Sequence, residues 1–150
     1  MYIQRHAEKT VLKLSKMFGA VLVTGARQVG KTTLLKNVAQ DAAYVTLDDP
    51  VQHAAAMQES GSFFMQHSPP VFVDEVQYAP KLFPHIKMII DSEKKKGQFF
   101  LSGSQQFKMM KSVSESLAGR LGILNLPGLS LREINGVSLP NRIKTQYGIT

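Results

Sequence analysis

The chain has 150 residues, 43% of them hydrophobic and 19% charged, which is typical of one globular domain rather than of a disordered segment. It has no cysteine and no apolar run long enough to cross a bilayer, so disulfides, zinc–thiolate sites and cysteine nucleophiles are excluded, and we expect a cytoplasmic protein without a membrane span. Eighteen Lys and Arg residues against eleven Asp and Glu give a net charge of +7, which favours a polyanionic partner: a nucleotide, a nucleic acid or an anionic membrane surface.

Hydrophobic periodicity and turn residues predict strands and helices that alternate along the chain. Five short apolar runs are predicted as strands, at 20–24, 44–47, 71–73, 98–101 and 121–126. Helices are predicted before and between them, at 3–18, 31–40, 51–58 and 80–93 and in the polar stretch that leads to Leu117. This alternation predicts an α/β domain with a parallel sheet covered by helices on both faces.

Polar residues end or directly follow four of the predicted strands. Thr24 ends the first strand, Asp48 follows the second, Asp74 and Glu75 follow the third, and segment 102–104 follows the fourth. Because the carboxyl ends of parallel strands meet at one end of a sheet, we expect these residues to form a single ligand-binding end.

Segment 25–32 matches the phosphate-binding pattern G-x-x-x-x-G-K-[ST], with a predicted strand before it and a predicted helix after it. Glycines let the backbone turn its N–H groups inward, so that the loop and the helix N-terminus form a cradle for phosphate. Lys31 is predicted to set its charge against the β- and γ-phosphates and Thr32 to bind Mg²⁺, while Thr33 is more typical of a packing or capping residue. The predicted nucleotide-binding residues are Gly25, Ala26, Arg27, Gln28, Val29, Gly30, Lys31, Thr32 and Thr33.

The apolar strand that ends in Asp74 and Glu75 is typical of a Walker B strand. It is expected to bring Asp74 beside the cradle, where the carboxylate holds Mg²⁺, most simply through water. Glu75 is then placed to orient or deprotonate the attacking water. The alternative interpretations are a helix cap for Asp74 and a surface glutamate for Glu75.

Three further groups are candidates for contact with the nucleotide. A hydroxyl of Ser102 or Ser104 is a candidate sensor of the γ-phosphate, and the residues alone do not choose between the two or exclude a plain turn. Arg120 is a candidate arginine finger, acting on its own nucleotide or on a neighbour's, and Arg27 is a second candidate cation. Each arginine could equally be an ordinary surface residue.

The motifs together resemble prokaryotic AAA-type P-loop ATPases, the AAA_14 group, which are usually fused to a C-terminal DUF4143 domain. The likeness rests on GARQVGKTT, LDDP, VDEVQ, LSGS and SLAGR and covers about residues 1–134. It implies a three-layer sheet of order 5-1-4-3-2, ATP rather than GTP, Glu75 as the water-activating residue, Ser102 or Ser104 as the sensor and Arg120 as the finger. It further implies that Tyr2 and Arg5 pack on adenine.

We therefore predict an ATPase core at 1–135, followed by a tail at 136–150 that starts a further C-terminal region. The predicted function is Mg²⁺-dependent binding and hydrolysis of ATP, coupled to a conformational or partner-binding switch, with a second copy, a nucleic acid or a protein as the partner. Two alternatives stay open. In one, Asp48 and Asp49 hold the substrate hydroxyl of a small P-loop metabolite kinase rather than forming a helix cap beside Pro50; in the other, the chain binds nucleotide or nucleic acid without hydrolysis.

Overall fold

A computed structural model describes residues 7–26, 29–104 and 107–126, and in these residues five strands form one sheet. The strands are β1 (Ala20–Thr24), β2 (Ala43–Thr46), β3 (Val71–Asp74), β4 (Phe99–Gly103) and β5 (Leu121–Asn125). All neighbouring pairs are parallel, in the order β2-β3-β4-β1-β5. Read from the other side, this order is 5-1-4-3-2, so the predicted fold class and strand order are confirmed.

Helices cover both faces of the sheet, which gives the predicted three layers. The α-helices in the described residues are α1 (Ala7–Met17), α2 (Lys31–Val38), α3 (Pro50–Gln58), α4 (Ser60–Gln66), α5 (Leu82–Glu93) and α6 (Phe107–Leu117), and a 3-10 helix, Val76–Tyr78, follows β3. One core lies between the sheet and α1 and α2, and the other contains buried residues of α3, α4, α5 and α6. None of the described helices is long and apolar enough to cross a membrane.

The central strand β1 explains why the strands are apolar runs rather than alternating patterns. Val21 and Val23 pack into the core beside α1 and α2, whereas Ala20 and Leu22 pack into the opposite core. A strand buried on both faces has no position at which a polar side chain reaches water. The register pairs Ala20 with Phe99 of β4 on one side and with Leu121 of β5 on the other, so the strands begin and end together.

Several boundaries differ from those predicted. Helix α4 was not predicted, because its sequence starts Ser-Gly-Ser and only Phe63 and Phe64 are buried. Strand β4 continues to Gly103, because its pairing with β1 reaches that residue, and Ser102 is therefore a buried strand residue rather than part of a turn. The first predicted helix is observed from Ala7, and residues 3–6 lie outside the described residues, as does the predicted tail 136–150.

Candidate active site at the carboxyl end of the sheet

The loop between β1 and α2 needs both of its glycines. A Cβ on Gly25 would lie 2.6 Å from the carbonyl oxygen of Leu126, a contact that backbone atoms do not tolerate. Gly30 precedes α2 with a φ of 92°, in the left-handed region that glycine adopts without strain. The chain therefore leaves the sheet in a tight turn that ends at the N-terminus of α2, the geometry expected of a phosphate cradle.

Lys31 turns back into this loop. Its side chain is buried, and Nζ donates hydrogen bonds to the carbonyl oxygens of Gly25 (2.7 Å) and Ala26 (3.0 Å). A buried ammonium group is costly unless it is hydrogen-bonded, so these carbonyls hold the charge inside the loop. Thr33 is exposed on the first turn of α2 and does not pack.

The remaining predicted cradle residues are only partly described. Val29 is half-buried and packs against the core beside α1 and α2, and Ala26 is exposed. Arg27 and Gln28 lie outside the described residues, as do Tyr2 and Arg5, so their roles stay predictions.

The buried carboxylate of Asp74 joins the acidic strand to the cradle. The hydroxyl of Thr32 donates to both of its oxygens, at 3.2 Å to Oδ1 and 3.0 Å to Oδ2. The Ser102 hydroxyl donates to Oδ1, and the Tyr44 hydroxyl donates to Oδ2 at 2.7 Å. Asp74 is thus held by hydroxyls from α2, β2 and β4, and it is not a helix cap.

Glu75 has an unusual backbone, with a φ of 60° in the left-handed region. A non-glycine residue in this region costs on the order of 1 kcal/mol, and such strain concentrates at functional sites. The backbone N–H of Glu75 donates to the hydroxyl of Ser102 at 3.0 Å, and its Oε2 accepts from Nε2 of Gln77 at 2.6 Å. Glu75 is therefore held at both its backbone and its carboxylate rather than being a free surface residue.

The two candidate sensor serines have different surroundings. The hydroxyl of Ser102 is already engaged, because it donates to Asp74 and accepts from the backbone of Glu75. The hydroxyl oxygen of Ser104 is buried and has no hydrogen-bond partner among the described residues. A buried hydroxyl without a partner is uncommon and calls for an explanation, of which a ligand is one.

Arg120 lies far from this site. Its carbonyl oxygen accepts from the N–H of Ala20, the first residue of β1, whereas the cradle follows Thr24 at the other end of that strand. Its guanidinium is paired with Asp91 (2.6 Å), and this hydrogen bond holds the pKa of Asp91 below its usual range. The interpretation of Arg120 as a finger on the chain's own nucleotide is therefore not supported, because the two lie at opposite ends of the sheet.

Asp49 caps a helix, and Asp48 contributes its backbone N–H to the turn before that helix. Asp49 precedes α3, and its carboxylate accepts from the N–H of Val51 at 2.9 Å, as an N-cap does. The N–H of Asp48 donates to the hydroxyl of Thr46 at 3.2 Å. Both aspartates are exposed, and this arrangement does not favour the metabolite-kinase alternative.

Two residues of the site were missed from the sequence, Tyr44 and Gln77. Burial and the hydrogen bond to Asp74 raise the pKa of the Tyr44 phenol above its ordinary value. Its position in a strand predicted to lie beside the acidic strand was the available signal. For Gln77 the signal was its place two residues after Glu75.

The donors at this end of the sheet fit a magnesium ion. Mg²⁺ prefers oxygen ligands and is commonly held by one or two carboxylates, a hydroxyl, water and nucleotide phosphate. Thr32 and Asp74 supply a hydroxyl and a carboxylate within 3.0 Å of each other, next to the phosphate cradle. Because the two groups already lie together, the backbone needs no rearrangement to offer these oxygens to a metal.

Comparisons with known proteins agree with this geometry. A family model described as an AAA domain matches residues 18–135. The chain is 34% identical over 131 residues to the uncharacterized proteins Mb2031c of Mycobacterium bovis and Rv2008c of Mycobacterium tuberculosis, a match that spans 86% of this chain and 29% of each relative. The chain thus spans less than a third of the length of these curated relatives.

Two solved structures share the fold. One is described as a DNA replication initiation factor, with a TM-score of 0.54 at 15% identity over 91% of this chain and 52% of that chain. The other is DnaA from Aquifex aeolicus bound to AMPPCP, with a TM-score of 0.57 at 18% identity over 97% of this chain and 55% of that chain. At these identities the likeness is one of fold.

Proposed function

Because the chain belongs to the AAA domain family of P-loop ATPases, we propose that it binds ATP with Mg²⁺ at the carboxyl end of its sheet and hydrolyses it there. The observation that carries the proposal is the hydrogen bond between Thr32 and Asp74, 3.0 Å long. It joins the phosphate-binding loop to the acidic strand, and a metal-dependent nucleotide site needs those two elements in contact.

Each residue of the site has a distinct task in this proposal. The loop N–H groups, the α2 N-terminus and Lys31 hold the phosphates, and Lys31 exchanges its loop carbonyls for phosphate oxygens. Thr32 and Asp74 hold the metal, which offsets the negative charge that develops on the phosphoryl group. The carboxylate of Glu75, fixed by Gln77, orients the attacking water and accepts its proton.

Ser104 is the better candidate for the sensor. Its buried hydroxyl has no partner among the described residues and can donate to a γ-phosphate oxygen or to the water, whereas the Ser102 hydroxyl already holds Asp74 and Glu75 together. Ser102 is then a positioning residue for the carboxylate of Asp74 and for the backbone of Glu75. The AMPPCP bound to DnaA, which has the same fold, supports a nucleotide as the ligand of this end of the sheet.

Arg120 is proposed to act on the nucleotide of a second copy of the chain. Its guanidinium is 32% exposed and its ion pair with Asp91 is exposed too, so the pair is easily exchanged for a phosphate. A test mixes Arg120→Ala with Lys31→Ala. The first variant binds ATP without offering a finger, and the second offers a finger without binding ATP. Recovery of hydrolysis on mixing is expected; a wild-type chain that is fully active as a monomer would contradict this role.

The coupling of hydrolysis to a partner is proposed for the whole protein. Relatives that match this chain are about three times as long, and a switch would pass from Glu75 and Ser104 to additional regions such as those relatives have. In this proposal, nucleotide turnover by the AAA domain drives the switch. The sheet stays rigid, and the two nucleotide states differ in the residues at its carboxyl end.

The test of the proposed function is Mg²⁺-dependent release of phosphate from ATP by the purified chain, beside Asp74→Asn. Asp74→Asn removes the carboxylate proposed to hold the metal and should abolish the Mg²⁺-dependent release of phosphate. The exposed control Asp41→Asn should retain that activity. Equal rates in Asp74→Asn and the wild type would overturn the assignment. Nucleotide binding without turnover would place the missing catalytic group in a second copy or in a region like those that the longer relatives contain.

A second candidate function is favoured by the amino end of the sheet. A cavity of about 660 Å³ is lined there by Lys94, Lys95, Lys96 and Arg120, against one carboxylate, Asp91. Four cations around one cavity suit the phosphate backbone of a nucleic acid, in line with the net charge of +7.

Salt titration separates this candidate from non-specific attraction. If three phosphate contacts are lost, changing all three lysines of the cavity to Gln should make the negative slope of log affinity against log salt less steep, by about 0.7 to 0.9 for each contact. The control changes three exposed lysines that do not line the cavity, Lys9, Lys13 and Lys81, to Gln. Equal slopes in the two triple variants would exclude the cavity as the binding surface.

A further inference from the structure

Asp74 accepts one hydrogen bond from a residue that belongs to none of the phosphate-binding motifs. The hydroxyl of Tyr44 donates to its Oδ2 at 2.7 Å, the shortest distance measured from any hydroxyl to that oxygen. Tyr44 belongs to β2, and β2 lies beside β3 with Tyr44 opposite Phe72 and Thr46 opposite Asp74. The phenol therefore reaches along the sheet, past one residue pair, to the carboxylate at the end of the neighbouring strand.

The ring of Tyr44 is held in this position from two sides. Nζ of Lys36 in α2 lies 4.0 Å from the ring centroid, as a cation–π contact requires, and the ring of Phe72 meets it edge-on at 5.1 Å. Although Tyr44 is 41% exposed, its hydroxyl is thus directed at the carboxylate by contacts with two other elements. A tyrosine that merely covered the strand would not need its hydroxyl to be aimed in this way.

We propose that Tyr44 is a positioning residue for the metal site, which fixes the carboxylate of Asp74 in the orientation that holds Mg²⁺ beside Thr32. The proposal rests on the proposed function, and in it Tyr44 acts through Asp74 rather than on the nucleotide itself.

The hydrogen bonds of the carboxylate show why a third hydroxyl matters. Ser102 holds only Oδ1, and Thr32 is shared between both oxygens. When Thr32 offers its oxygen to the metal, its single proton can serve only one carboxylate oxygen. Tyr44 then remains to hold Oδ2, so that the carboxylate cannot rotate about its Cβ–Cγ bond away from the metal. Partners of a metal ligand typically change metal affinity in this way.

Tyr44→Phe removes this hydroxyl and keeps the ring, with its contacts to Lys36 and Phe72. Tyr78→Phe is a matched control, because Tyr78 is 40% exposed and its hydroxyl makes no hydrogen bond to a described residue. The measurement is the affinity for a non-hydrolysable ATP analogue, first in EDTA and then across a Mg²⁺ titration. It needs no turnover.

We expect Tyr44→Phe to bind the analogue as the wild type does in EDTA and to need about tenfold more Mg²⁺ for half of the metal-dependent gain. Tyr78→Phe should match the wild type in both. An unchanged Mg²⁺ requirement in Tyr44→Phe would overturn the proposal, and a lower one would show that Tyr44 competes with the metal. An equal loss of affinity in EDTA and Mg²⁺ would reduce Tyr44 to a structural residue.

The same titration separates this inference from the proposed function. A wild type whose affinity for the analogue does not respond to Mg²⁺ would contradict the metal site itself. A wild type that responds, with a Tyr44→Phe variant that responds equally, would contradict only the role of Tyr44. Thermal melting of the two variants without ligand reports on folding. If Tyr44→Phe melts well below Tyr78→Phe, Tyr44→Leu is titrated as well, and an unaltered Mg²⁺ requirement in that variant again overturns the proposal.

Discussion

The two ends of one sheet carry their charged side chains in opposite ways. At the carboxyl end, Lys31 and Asp74 are buried; Lys31 donates to two carbonyl oxygens of its own loop, and Asp74 accepts from hydroxyls of α2, β2 and β4. At the amino end, Arg120 and Asp91 pair in solvent beside exposed lysines. Burying a charged group is costly unless its polar atoms have hydrogen-bond partners. A protein therefore keeps buried charges where a ligand needs groups in fixed positions. Exposed charge carries no such cost and by itself indicates only an electrostatic surface.

This contrast predicts that equivalent substitutions at the two ends have unequal effects. The largest is expected for Glu75→Gln, which removes the base but keeps an oxygen to accept from Gln77. The rate of ATP hydrolysis should fall about 1000-fold while nucleotide binding is retained. Glu93→Gln, at the exposed end of α5, is the matched control and should hydrolyse ATP as the wild type does. A Glu75→Gln chain that hydrolyses ATP at the wild-type rate would contradict the role of Glu75 as the base.

Lys31→Ala should weaken binding of an ATP analogue by about 100-fold, because a charge-assisted hydrogen bond to phosphate is lost. Lys96→Ala removes the same charge from the amino end and should leave the affinity unchanged, since Lys96 is exposed there. Fluorescence titration of a labelled nucleotide measures both. Equal losses in the two variants would mean that overall charge, and not the cradle, binds the nucleotide.

Within the carboxyl end, the two serines are expected to affect different quantities, the rate of hydrolysis and the stability of the fold. Ser104→Ala should slow hydrolysis about 10- to 100-fold and leave the melting temperature unchanged, because its hydroxyl has no partner among the described residues to lose. Ser102→Ala should lower the free energy of unfolding by about 1–3 kcal/mol, since it leaves the buried Asp74 and the N–H of Glu75 short of a partner. Chemical denaturation beside steady-state kinetics distinguishes them, and a reversed pattern would exchange their roles.

The smallest effect on stability is expected at the amino end. The pKa of Asp91 lies below its usual range because Arg120 donates to it, so the pair is present at neutral pH and is lost as the pH falls through that lowered pKa. Arg120→Ala should return the pKa of Asp91 towards its ordinary value in an NMR titration. Because both side chains are exposed, the melting temperature at pH 7 should not change measurably. A large drop would show that the pair supports the fold.

The sequence predicts the sheet and the tight turn after β1 well because both depend on local patterns. Buried parallel strands are short apolar runs, and the glycines of the loop are required by its backbone, so strand order and cradle followed from motif and resemblance. The hydrogen bond of Tyr44 to Asp74 depends on how two strands pair, and that of Gln77 to Glu75 depends on the turn after β3, so sequence position indicated proximity but not the bonds themselves.

Arg120 could have been placed better from the sequence. It directly precedes a predicted strand, and a residue before a parallel strand lies at the amino end of the sheet, away from a ligand at the carboxyl end. Helix α4 could not be placed, because Phe63 and Phe64 are adjacent and give no helical period. Neighbouring apolar residues become a helix face only once α5 and β4 are there to bury them.

The most direct test of the nucleotide site is equilibrium binding of a non-hydrolysable ATP analogue to the folded wild-type chain, with Mg²⁺ and with EDTA. Thr32 and Asp74 stand together beside the cradle, so the analogue should bind and Mg²⁺ should tighten its binding at least severalfold. A folded chain that fails to bind the analogue in either condition would contradict the assignment of the carboxyl end as a nucleotide site.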